Sequence, residues 1–99
     1  MTKVIYQRTG GALGQEINIS VDLASLPASE THNLMTLIGQ SDFFAIPENL
    51  AAQSTPDEFQ YTITVEAERS KHTIHTSDTT MPNSLRPLLN ELTMLAATE

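Results

Sequence analysis

The histidines His72 and His75, three residues apart in KHTIH, are the first pair in this chain whose types invite chemistry, and the chemistry would be metal binding. On a strand, residues three apart face opposite sides of the sheet, so this pair cannot chelate one ion. His32 sits in a separate helical stretch, and the chain has no cysteine to supply a thiolate. No metal site is expected. Asp57 and Glu58 are adjacent acids, but general acid/base work needs a pocket, and the polar run around them reads as a solvated turn. No GxSxG elbow and no GK[ST] phosphate loop occur. TGGALG joins two strand-like runs and opens no helix, so it lacks the geometry that holds a dinucleotide. These absences point to a binder and not an enzyme, with no cofactor.

The glycine cluster itself raises a different possibility. RTGGALGQ, residues 8 to 15, places Gly10, Gly11 and Gly14 between two extended runs. Glycine takes φ > 0 cheaply, so the cluster reads as a sharply bent hairpin tip or as a contact surface. Leu13 stands in that tip either as a turn residue folded back on the sheet or as a contact residue.

The elements that must position these residues follow from periodicity. From Glu16 to Leu23, Ile17, Ile19, Val21 and Leu23 alternate with polar residues, the period of a half-buried strand. Lys3 to Thr9 alternates less cleanly, with Val4 and Tyr6 on one face and Ile5 on the other, and pairs with it through the glycine tip. Pro27 opens a helix whose apolar stripe is Leu34, Leu37 and Ile38 and which stops near Gly39 to Ser41. Of Phe43 and Phe44, at least one is expected in the core. Beyond Pro47, ENLAAQSTPDE reads as an exposed loop. Phe59, Tyr61, Ile63 and Val65 mark a third strand, the turn AERS follows, and Lys71 to Thr76 form the fourth. Leu85, Leu88, Leu89, Leu92, Leu95 and Ala96 make the face of a last helix, with Ser84 as N-cap.

The order is therefore ββαββα. A single four-stranded antiparallel sheet covered on one side by both helices is the α+β arrangement that buries every apolar face. Ile17, Ile19, Val21, Leu37, Tyr61, Ile63, Leu88 and Leu92 are the expected core.

Size and charge bound the rest. Ninety-nine residues suit one domain, spanning 1 to 99, that buries roughly 60 to 70% of its unfolded surface. Twelve acids against five bases give a net charge of -7 with no cluster of cations, which disfavours nucleic acid and anionic membranes as partners. The alternating start MTKVIYQRTGG is unlike a signal peptide, and no run approaches the roughly 20 apolar residues of a membrane span, so a cytoplasmic location is expected.

Several stretches stand out together along the chain: Arg8-Thr9-Gly10-Gly11 with Gly14 beyond, Leu26-Pro27, and the connector Ser41-Asp42-Phe43-Phe44-Ala45-Ile46-Pro47-Glu48. The strand Asp57-Glu58-Phe59-Gln60-Tyr61-Thr62-Ile63-Thr64-Val65-Glu66, His72-Thr73-Ile74, and Pro82-Asn83-Ser84-Leu85-Arg86-Pro87-Leu88-Leu89 complete the set. In these, nearly end to end, the chain resembles the emfourin family, small protein inhibitors of protealysin and related thermolysin-like zinc metallopeptidases. The resemblance implies an inhibitor that fills a peptidase cleft with a rigid element and needs no catalytic residue. The candidate elements are the tip, with Gly10, Gly11 and Leu13, and the loop Gln53, Ser54, Thr55, Pro56 and Asp57. The loop is preferred because Pro56 stiffens it. Family members tend to carry an aromatic residue where Ala12 stands and an apolar one where Gln15 stands. In the linear reading the two elements lie at opposite ends of strands, and their convergence in space is left open. The alternative is an interaction or accessory domain without inhibitory activity.

Overall fold

Alternation decides the strands and leucine spacing the helices, and both patterns are realised. The computed structural model describes residues 2 to 10, 16 to 50 and 58 to 98. Strands β1 (Lys3–Gly10) and β2 (Ile17–Asp22) precede helix α1 (Ala28–Ser41), and strands β3 (Phe59–Glu66) and β4 (Lys71–Ser77) precede helix α2 (Arg86–Thr98). The sheet order is β2-β1-β3-β4, with every neighbouring pair antiparallel. The chain leaves the sheet after β2, crosses over β1 by way of α1, and returns as β3 on the far side of β1.

One face of the sheet carries Val4 and Tyr6 from β1, Ile19 and Val21 from β2, Tyr61, Ile63 and Val65 from β3, and Ile74 from β4. Leu34 and Ile38 of α1 and Leu88, Leu89 and Leu92 of α2 complete the same core cluster, so both helices cover that one face. Ile17 and Leu37, expected inside, are only partly buried and pack at its margin. Ile17 belongs to the last β1–β2 pair, opposite Arg8. The other face is polar. Thr62 is hydrogen-bonded to His75 (3.0 Å) and Thr64 to Thr73 (2.9 Å) across the β3–β4 pair.

Helix α1 ends at Ser41, within the expected Gly39 to Ser41 stretch, and its left-handed end is Asp42 (φ 54°), whose short polar side chain tolerates that conformation. Local structure departs from the sequence reading at two points. Ser84 is not the N-cap of α2. It lies in a 3-10 turn, Asn83–Leu85, which starts after Pro82 and feeds directly into α2 at Arg86, and its hydroxyl bonds the Ser41 carbonyl (3.4 Å). The segment after Pro47 begins as structure and not as loop. His75 N–H donates to the Glu48 carbonyl (2.7 Å) and Leu50 N–H to the His75 carbonyl (2.7 Å), a short parallel bridge that covers the β4 edge.

The two phenylalanines divide as their environment requires. Phe43 is fully buried, whereas Phe44 is 45% exposed, and both rings pack around His72. His72 donates its Nε2–H to the Ile46 carbonyl (2.6 Å), which ties the connector to the sheet. His75 points from the opposite face, so the two histidines diverge.

Candidate functional site

The antiparallel register settles where the tip and the loop enter and leave the sheet. Gly10, the last residue of β1, is paired with Phe59, the first of β3. The tip therefore departs, and the loop returns, at the same end of the sheet and on neighbouring strands. Their positions at opposite ends of strands in the linear reading become one end in space, because antiparallel pairing places the finish of β1 beside the start of β3. Gly11, Leu13, Gln53, Ser54, Thr55, Pro56 and Asp57 themselves lie outside the described residues, and of the expected contact residues only Gly10 is described.

Gly10 has a structural reason to be glycine. Its φ is +88°, and a Cβ there would lie 2.7 Å from the Glu58 carbonyl oxygen. No side chain fits that gap without moving backbone, so the closeness of the two segments rests on this one residue.

The β4 exit completes the same end. Asp78, just past β4, accepts the Tyr61 hydroxyl on Oδ1 (2.7 Å) and the Phe59 N–H on Oδ2 (3.1 Å). Glu58 Oε1 accepts the Thr79 N–H (2.7 Å), and Thr80 Oγ1 accepts the Ser77 N–H (3.0 Å). The start of β3 is thus held to the following turn by two carboxylates whose partners are neutral donors. Arg86 of α2 reaches the same turn, donating from Nη2 to the Asp78 carbonyl (3.2 Å).

Beside them the core-facing residues of β1 and β3 form an aromatic stack. Tyr6 and Tyr61 lie 6.4 Å apart and nearly parallel, Phe59 tilts against Tyr61, and the Arg8 guanidinium lies 4.4 Å above the Phe59 ring. Thr93 spends its hydroxyl hydrogen on the Leu89 carbonyl (2.9 Å), so Tyr6 donates to Thr93 Oγ1 (3.0 Å). Burial pushes both phenols above their ordinary value of 10.0, and for Tyr61 the hydrogen bond to Asp78 pushes further in the same direction.

Arg8, Phe59, Tyr61 and Asp78 are the residues of this end that sequence reasoning did not name as site residues. The signal for Arg8 was present: it follows Val4 and Tyr6 at the next core-facing position of β1, a cation where the alternation calls for an apolar residue. Asp78 offered no such signal, since its partners are 17 and 19 residues away.

Nothing in this arrangement resembles a catalytic centre. Among the described residues no group of three or more His, Asp or Glu side chains could hold a metal ion, and no helix is long and apolar enough to cross a membrane. What the end of the sheet does offer is a platform on which Gly10, the last residue of β1, is paired with Phe59, the first of β3. Comparison with curated proteins and with solved structures gives no match. Comparison with protein families does: residues 6–93, which include the whole platform from Arg8 to Arg86, match Emfourin. The chain belongs to the Emfourin family, a family of inhibitor type.

Proposed function

We propose that this protein inhibits a thermolysin-like, protealysin-type zinc metallopeptidase by presenting the end of its sheet to the enzyme's cleft. Family membership over residues 6–93 carries the reading. The pairing of Gly10 with Phe59 supports the mode of action, because it roots the tip and the loop side by side on paired strands. Elements held at both ends by a sheet lose little entropy on binding, which is how a rigid inhibitor gains affinity. Gln53, Ser54, Thr55, Pro56 and Asp57 on one side, and Gly10, Gly11 and Leu13 on the other, are the proposed contact residues.

Titration of the purified protein against a thermolysin-like peptidase with a small fluorogenic substrate tests this. The parent is expected to abolish activity at micromolar concentration or below. Replacing Thr55 and Pro56 together by glycine is expected to raise the inhibition constant at least tenfold, about 1.4 kcal/mol, with the melting curve unchanged. Leu13→Gly should weaken inhibition as well if both segments enter the cleft. An unweakened double variant beside a weakened Leu13→Gly would assign the contact to the tip alone. A parent that slows no such peptidase removes the inhibitor reading and leaves an accessory interaction domain.

A further inference from the structure

Among the described residues, the sheet end where Gly10 pairs with Phe59 has its acids engaged and its arginines without a carboxylate. Both oxygens of Asp78 are taken by the Tyr61 hydroxyl and the Phe59 N–H, and Glu58 Oε1 is taken by the Thr79 N–H. Arg8 makes no hydrogen bond and no ion pair among the described residues. Its Nε is sealed from solvent without a partner, and the face of its guanidinium is laid on Phe59. Its terminal nitrogens are not among the sealed atoms, and among the described residues they have no hydrogen-bond partner. Arg86 has a backbone carbonyl and no carboxylate.

At the far end of the same sheet Lys71 has its carboxylate, Glu66, at 3.8 Å. A buried N–H without a partner is costly, and the fold carries that cost at Arg8. The stack on Phe59 fixes the guanidinium plane and leaves its outer edge as a fork of donors, the geometry that matches a carboxylate in two parallel hydrogen bonds.

We infer that Arg8, oriented by Phe59 and backed by Arg86, is the anchor for an aspartate or glutamate carboxylate of the partner protein. The inference rests on the inhibitor reading and adds to it the chemistry of the partner: an acidic side chain on the rim of the peptidase cleft. An otherwise acidic protein would then meet its target through an end at which, among the described residues, two arginines have no carboxylate partner.

The test is inhibition of a thermolysin-like peptidase by the parent, Arg8→Gln, Arg8→Lys and Phe59→Leu, at 20 and at 300 mM sodium chloride. Arg8→Gln is expected to raise the inhibition constant at least tenfold and to flatten its dependence on salt. Arg8→Lys should keep the salt dependence but recover only part of the affinity, since lysine supplies the charge without the fork. Phe59→Leu should fall between parent and Arg8→Gln. A disturbed loop without a lost ion pair would weaken inhibition equally at both salt concentrations, and that result would overturn the assignment. So would a parent and an Arg8→Gln variant that inhibit alike, an outcome that sinks the anchor and leaves the inhibitor reading standing. If millimolar phosphate or acetate raises the melting temperature of the parent but not of Arg8→Gln, while inhibition by the two is equal, the site binds small anions and the proposal is wrong. A parent that inhibits nothing removes the anchor together with the function.

Discussion

At the scale of single residues, the phenol of Tyr61 shows how a polar group can be held at the margin of a core. Its ring stacks between Tyr6 and Phe59, and its hydroxyl reaches out to Asp78. Burial first, and then the hydrogen bond and charge of Asp78, favour the protonated phenol in the folded state, so its folded value lies above the ordinary 10.0. Between those two values the unfolded chain has released the proton and the folded protein has not, so stability falls as pH rises. The contribution is complete below about pH 10 and is lost progressively above it. The denaturation midpoint of the parent is therefore expected to hold up to about pH 10 and to drop as the pH rises further, toward about pH 12. Tyr61→Phe should show a smaller drop, the remainder coming from Tyr6, which is shifted in the same direction. Equal drops in parent and variant would show that this phenol does not carry the alkaline sensitivity.

At the scale of elements, the decisive joint is the meeting of β1 with β3. A one-residue slip there would turn every core side chain outward, and the alternation of Val4 and Tyr6 against Ile63 and Val65 prevents it. Gly10 then allows the Glu58 carbonyl to approach where any Cβ would collide. Gly10→Ala is expected to destabilise by about 1 to 3 kcal/mol, through the positive φ and the contact, and to weaken inhibition by moving Glu58 and the loop it ends. Gly39, inside α1 with nothing within 4 Å of the position of a Cβ, is the control. There alanine should stabilise by about 0.4 to 1 kcal/mol, because it restricts the unfolded chain without strain in the folded one. Urea titrations of the two variants check both signs. If Gly10→Ala is as stable as the parent, the close approach does not constrain this end of the sheet.

At the scale of the whole molecule, two helices and one sheet face share a single core, so a cavity anywhere in it is felt throughout. Leu88 of α2 is completely buried among residues of that cluster. Leu88→Ala is expected to cost about 2 to 5 kcal/mol, read from the urea midpoint, and a loss below about 0.5 kcal/mol would place α2 outside the core. That core was legible in the sequence, because periods of 2 and 3.6 are local properties of the chain: Ile19, Val21, Tyr61, Ile63, Leu88 and Leu92 could be placed inside without knowing which strand neighbours which. The divergence of His72 and His75 was legible for the same reason. Ser84 was misjudged because a 3-10 turn and a helix N-cap use the same residue types, and Glu48 to Leu50 because a bridge to β4 depends on a partner about 25 residues away. The meeting of the end of β1 with the start of β3 belonged wholly to tertiary structure. Periodicity says that a strand exists and which side is apolar; it does not say that β3 returns beside β1 instead of β2. Only the crossover by α1 brings Gly10 to Phe59 and, among the described residues, leaves Arg8 without a carboxylate.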